Sequence, residues 1–233
     1  MGLLRHVVAA TRAIGQALLA WSYRRLYDEL AWAYDGVARV VSGGRWRDWQ
    51  RAVYPYLADG PVLEIGPGPG HLLGEMLVRG YDAYGLERSR AMLSQARRLL
   101  AGLGHGGRLV CGDALSPPFA AETFSTVLLT FPSEYVSAPR FLKEAARILR
   151  PGGRLVVLVG AEAGTWPWPG LLERALRWLT DDSAWRPLAL GPPEHAMPAR
   201  WPDAGLVGRY LDERGPKGAL RLLVAAKETA ERG

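Results

Sequence analysis

Apolar positions along the chain fall into two alternating patterns. Short, nearly unbroken apolar runs occur at Val62–Ile65, Ala83–Leu86, Arg108–Cys111, Phe124–Leu129 and Leu155–Val159. Runs of this length read as strands buried on both faces. Between them, apolar residues recur every three or four positions from Leu72 to Arg79, from Ser89 to Leu100 and from Pro139 to Leu149, the period of a helix packed on one side. Ser89 is placed to cap the second of these, and Gly80 to end the first in a left-handed turn. Strands alternating with helices predict a parallel sheet with helices on both faces. Runs near Leu206–Asp212 and Leu220–Lys227, with Gly215-Pro216-Lys217-Gly218 between them, predict an antiparallel hairpin at the sheet edge, giving seven strands.

Two stretches break this alternation. Residues 3 to 25 place Leu3, Leu4, Val7, Val8, Ile14, Leu18 and Trp21 at helical spacing among Arg5, Arg12, Arg24 and Arg25. A basic amphipathic helix of this kind packs over a domain, forms a dimer contact or lies on an anionic membrane surface. A second aromatic helix is expected to hold Trp46, Trp49, Tyr54 and Tyr56, so residues 1–56 read as an N-terminal helical cap and 57–233 as the main domain. Residues 160–204, with Trp166-Pro167-Trp168-Pro169 and a helix near 171–179, read as an inserted cap on the substrate side.

Composition narrows the picture only a little. A chain of 233 residues with 48% apolar and 22% charged positions suits one well-filled α/β domain. The formal charge of +6 permits an anionic partner, but arginine-rich composition alone accounts for it. The single cysteine, Cys111, has no neighbours at metal-binding spacing, so no metal and a reducing, cytoplasmic setting are expected, with peripheral membrane contact through residues 3–25 as the alternative.

The candidate chemistry gathers around Gly66-Pro67-Gly68-Pro69-Gly70, between the first strand and its helix. Three glycines permit a sharp turn and close approach of backbone to a ligand. Glu64 interrupts the first strand, Glu87 ends the second, and Asp113 follows the third, so three carboxylates stand near the carboxyl ends of successive strands, where open α/β sheets bind ligands. Glu87 is 21 residues beyond Gly66, a spacing that suits a ribose contact in NAD-binding folds as well.

Taken in order, Val62 to Leu72, Glu87, Gly112-Asp113-Ala114 and Leu149-Arg150-Pro151-Gly152-Gly153-Arg154-Leu155 resemble the motifs of class I S-adenosylmethionine-dependent methyltransferases of the small-molecule group. The resemblance covers roughly residues 55 to 160. It implies a Rossmann-like fold, with S-adenosylmethionine as cofactor and S-adenosylhomocysteine as product. Carried onto this chain, it implies that Gly66, Gly68 and Gly70 accommodate the methionine part and that Glu64 orients its ammonium group. Glu87 would hold the ribose, Asp113 would accept from the adenine amino group, and the Ala114 N–H would face a ring nitrogen; Arg88 and Thr130 complete the cofactor set. The loop after the fourth strand, Thr130-Phe131-Pro132-Ser133-Glu134-Tyr135, lacks the Asn/Asp-Pro-Pro-aromatic pattern of enzymes acting on DNA bases or protein amides. Nucleic acid is therefore not an expected partner.

Tyr34, Phe131, Glu134 and Tyr135 are the expected substrate contacts. Glu134, Tyr135 and His195, with His71, are candidate bases should a proton have to leave. The expected reaction is methyl transfer to a small, hydrophobic organic acceptor by a monomer or homodimer. A membrane-associated lipid or isoprenoid methyltransferase, and a non-catalytic cofactor-binding protein of the same fold, stand as alternatives.

Overall fold

The computed structural model describes residues 34–132, 134–162, 199–215 and 218–228, and elements are numbered within them. The expected helix over residues 3–25, the Trp-Pro segment at 166–169, the helix near 171–179 and His195 lie outside the described residues. Helix α1 (Tyr34–Val41) turns through Gly43 and Gly44, both at positive φ, into helix α2 (Trp46–Arg51). The aromatic helix expected to reach Tyr56 stops at Arg51. Pro55 cannot supply a helical N–H, and Tyr54–Tyr56 forms a 3-10 turn instead.

The alternating core follows. Strand β1 (Val62–Ile65) leads to α3 (His71–Val78), β2 (Ala83–Glu87), α4 (Arg90–Gly102), β3 (Leu109–Cys111) and β4 (Phe124–Thr130). A 3-10 turn at Glu134–Ser137 precedes α5 (Pro139–Ile148) and β5 (Leu149–Glu162). Ser89 caps α4 by accepting from the Met92 N–H. Strand β6 (Ala199–Trp201) and a 3-10 turn at Pro202–Ala204 lead to β7 (Leu206–Gly215) and β8 (Gly218–Lys227).

The sheet has eight strands among the described residues, in the order β3-β2-β1-β4-β5-β8-β7-β6. Strands β1 to β5 are parallel, and β5-β8, β8-β7 and β7-β6 pair antiparallel. This corrects the expected count of seven and moves the edge from the β7-β8 hairpin to β6. Three residues ahead of a proline carry no readable alternation, so only their pairing with β7 reveals β6. The first and last described residues of the stretch expected as an insertion, 160–162 and 199–204, belong to β5, β6 and the turn after it. Strand β5 also begins earlier than expected: the Arg150-Pro151-Gly152-Gly153 turn is a bulge inside it, where the register with β4 shifts between Phe124 and Thr126.

Two apolar layers flank the sheet. Trp49 and Val53, with Leu73, Met76, Leu93 and Leu100, pack on the face that presents Val62 and Leu128, while Phe141, Leu142 and Ile148 cover the opposite face against Leu63, Ile65 and Val127. Residues of the N-terminal helical segment thus enter the same core as α3 and α4. Between β1 and β4 the chain changes direction across the sheet, leaving a crevice at the carboxyl ends of these strands. The Gly66–Gly70 turn and Thr130 both lie at that end.

Candidate active site

At the end of β1 the backbone makes a tight turn that only glycine accommodates without strain. Gly66, Gly68 and Gly70 have φ of 70°, 55° and 84°. The turn is pinned by the Gly66 N–H donating to Leu86 C=O (2.9 Å) and the Gly70 N–H donating to Pro67 C=O (2.9 Å). A Cβ on Gly68 would meet nothing within 4 Å, and one on Gly66 would meet only the Tyr135 hydroxyl, at 4.0 Å. The turn therefore faces open space with bare backbone. Gly70 differs: a Cβ there would lie 2.9 Å from the Ala96 Cβ, so this glycine allows α3 and α4 to approach each other.

Glu64 lies directly beneath the turn. It is 1% exposed, and neither carboxylate oxygen has a hydrogen-bond partner among the described residues. Burial, reinforced by the nearby Glu87 carboxylate, pushes its pKa up to about 8. A buried, unpartnered carboxylate is costly in isolation and calls for a cationic ligand.

Glu87 is buried too, but it is held. Its Oε2 accepts from the Gly68 N–H at 3.1 Å and its Oε1 from the Ser89 N–H at 2.8 Å. The carboxylate thereby links the glycine turn to the start of α4. Asp113 is half exposed, and its Oδ1 accepts from the Leu115 N–H at 2.8 Å, which shapes the loop after β3 around Ala114. Arg88 is 84% exposed and approaches Asp113 to 4.0 Å, which places it on the surface beside the loop.

Across the crevice, β4 ends at Thr130 and Phe131 follows it. Phe131 has φ of 50°, a conformation rarely adopted by a bulky residue, held by its N–H donating to Leu158 C=O at 2.8 Å. Its ring stacks on Trp46 with centroids 4.4 Å apart and meets Trp49 edge-on at 6.2 Å; Trp46 in turn meets Tyr34 edge-on at 6.3 Å. Tyr135 packs edge-on against Phe141 at 5.5 Å. The backbone of Glu134 begins the 3-10 turn at Glu134–Ser137. His71, the first residue of α3, is engaged on both ring nitrogens, by Asp35 and by Arg47.

The residues from 63 to 157 match the family model described as a methyltransferase domain. The demethylmenaquinone methyltransferase of Beutenbergia cavernae is 32% identical over 204 residues, covering 83% of this chain and 82% of that protein. This chain belongs to the S-adenosylmethionine-dependent methyltransferases. The ubiquinone/menaquinone biosynthesis C-methyltransferase of Paracoccus denitrificans is 34% identical over 164 residues, which is 67% of this chain and 62% of that protein. Among solved structures, the geranyl diphosphate C-methyltransferase of Streptomyces coelicolor, in complex with Mg2+, geranyl diphosphate and S-adenosyl-L-homocysteine, has a TM-score of 0.52 at 16% identity. The match covers 80% of this chain and 79% of that one, and supports the fold.

The methyltransferase uses S-adenosylmethionine as its methyl donor. Its residues fit that cofactor on two structural observations: the open glycine turn, and the buried Glu64 carboxylate with no protein partner. Gln50, Asp35 and Arg47 belong to no motif that the sequence displays. Only Gln50 carries a signal, its place four residues after Trp46 on one face of an aromatic helix.

Proposed function

We propose that this methyltransferase acts on a ring carbon of a hydrophobic quinol, the reduced form of a quinone such as the demethylmenaquinone named for one relative, in a site bounded by the glycine turn and the aromatic residues Tyr34, Trp46, Phe131 and Tyr135. The observation that carries the cofactor half is the unpartnered Glu64 carboxylate beneath an open glycine turn. When bound, S-adenosylmethionine supplies a methyl group on a sulfonium, a good leaving group for in-line displacement. Glu64 would receive the ammonium of its methionine tail, and the Gly66 and Gly68 backbone would lie against that tail. Glu87, already oriented by Gly68 and Ser89, would accept from the ribose hydroxyls. Asp113 and the Ala114 N–H would bracket the adenine edge, with Arg88 outside it and Thr130 near the sulfonium end.

The aromatic wall supplies flat apolar surface that orients a planar acceptor and excludes water. The Tyr135 hydroxyl lies 4.0 Å from where a Cβ on Gly66 would stand, which puts one of the candidate bases beside the turn. Incubation with methyl-labelled S-adenosylmethionine and reduced demethylmenaquinone should move label into the quinone fraction. Absence of transfer, with cofactor binding intact, would reject the quinol acceptor.

A hydrophobic quinol of this kind would partition into lipid, which favours a membrane as the place where the acceptor is met. The basic, apolar residues 3–25 are the proposed contact. Co-sedimentation with anionic vesicles should fall when residues 1–25 are removed, and equal pelleting would reject that contact.

A further inference from the structure

The aromatic wall holds one polar pair. Gln50 on α2 donates from Nε2 to the Thr130 Oγ1 at 3.2 Å, and both side chains are part-buried. Strand β1 pairs with β4 at Glu64 and Leu128. Thr130, two residues further along β4, ends that strand at the same edge of the sheet as the glycine turn that follows β1. The pair therefore sits where the cofactor seat and the acceptor wall meet.

The chemistry of the pair is directional. With Nε2 committed to Thr130, the Gln50 Oε1 occupies the other corner of the planar amide and has no hydrogen-bond partner among the described residues. Thr130 uses a lone pair to accept, which leaves its own proton to donate. The pair thus offers one acceptor and one donor on an otherwise apolar surface of Trp46, Trp49 and Phe131. The Trp49 indole N–H, buried against Phe131, is a further donor without a partner among the described residues. Phe131 is kept in its strained conformation at this point, as functional sites often require.

We propose that Gln50, oriented by Thr130, selects acceptors that carry a free hydroxyl on a planar aromatic ring, and so fixes which edge of the ring faces the cofactor. The inference rests on the reading of the acceptor as a quinol. Gln50 is a positioning and specificity residue: its Oε1 accepts from the ring hydroxyl while the ring lies on the Trp46 and Phe131 surface. A ring whose oxygen is methylated cannot donate and leaves Oε1 unpaired, and such mismatches are discriminated strongly in buried sites.

Calorimetry of the full chain saturated with S-adenosylhomocysteine, using 1-naphthol and 1-methoxynaphthalene as probes, tests this without turnover. The wild-type protein should bind the naphthol about tenfold more tightly, the ratio given by one hydrogen bond near the upper end of its usual net value. Gln50→Leu should bring the ratio close to one while S-adenosylhomocysteine affinity is unchanged, and Gln50→Glu, which keeps an acceptor oxygen, should restore the preference. Thr130→Val, nearly isosteric, should also lower the ratio, and it decides the matter if Gln50→Leu fails to fold. A preference retained in the folded Leu and Val variants, or no preference in the wild type, overturns the proposal. Failure of methyl transfer to demethylmenaquinone alongside an intact naphthol preference would reject the quinol acceptor and leave the role of Gln50 standing.

Discussion

The His71 imidazole joins three elements: its Nε2 lies 2.8 Å from the Asp35 Oδ2 on α1, and the Arg47 Nη2 on α2 lies 3.2 Å from its Nδ1. Arg47 can only donate, so a neutral His71 accepts at Nδ1 and donates from Nε2 to Asp35. Both helices of the N-terminal segment are thereby tied to the start of α3, immediately after the glycine turn. The contacts are exposed, so their contribution to global stability is under about 1 kcal/mol. Their effect is local. Asp35→Asn and His71→Ala should each raise amide hydrogen exchange in residues 34–51 with little change in the melting temperature. Unchanged exchange there would show that other contacts hold the segment.

The buried Glu64 makes the cofactor-free protein less stable as pH rises. Its folded pKa of about 8 lies above the ordinary value of 4.5. Below pH 4.5 both states hold the proton and no penalty exists; between 4.5 and 8 the unfolded chain ionises while the folded one retains the proton, so stability falls with rising pH and levels off above 8. Urea midpoints of the cofactor-free protein at about pH 5.5 and about pH 7.5, both inside that window, should differ in that direction. The Glu64→Gln variant should show a smaller difference, and an equal slope in both would assign the trend to other groups.

Cofactor binding should release a proton at neutral pH. A cation brought beside Glu64 favours the charged carboxylate and reverses the effect of burial. Titrations with S-adenosylmethionine near neutral pH in buffers of different ionisation enthalpy should show release of up to one proton, absent in Glu64→Gln. Buffer-independent heats in the wild-type protein would remove Glu64 from the ammonium site.

Glu87 anchors the glycine turn and is also the proposed ribose contact, whereas Asp113 is half exposed and shapes only its own loop. Glu87→Ala should weaken S-adenosylmethionine by about 1 to 3 kcal/mol and also lower stability, because the Gly68 and Ser89 N–H groups lose their acceptor. Asp113→Ala should weaken binding with a much smaller effect on stability. Calorimetric affinity and melting temperature measured on the same two variants separate these outcomes.

Gly68 and Gly70 should respond differently to alanine. At Gly68 the strain of a positive φ costs about 1 kcal/mol, and the new methyl enters the open cradle, so cofactor affinity falls more than stability. At Gly70 the methyl collides with Ala96 and pushes α3 from α4, so stability falls first. If both variants lose only affinity, Gly70 has a ligand role as well as a packing one.

Local periodicity and turn chemistry account for the order of strands and helices, the glycine turn, the hairpin after the core, and the acids that lie in β1, end β2 and follow β3. A parallel sheet built from successive strand-helix units places those acids at one edge by connection alone. Strand β6 is not legible in this way, because three residues have no period and exist as a strand only through β7. The early start of β5 is hidden for a related reason: a Pro-Gly-Gly segment reads as a turn unless a neighbouring strand receives it as a bulge.

The cofactor was legible before the fold, because four motifs in their order along the chain resemble those of S-adenosylmethionine-dependent methyltransferases, and the chain's own connectivity brings them to the ends of consecutive strands. Tertiary structure decided the rest. Residues 36 positions apart form the His71–Asp35 contact, and residues 80 apart form the Gln50–Thr130 pair. Glu64 becomes unpartnered only when the sheet and helices close around it, and Gly70 becomes a packing residue only when α4 arrives. Such properties depend on desolvation and on long-range neighbours, which no local pattern encodes.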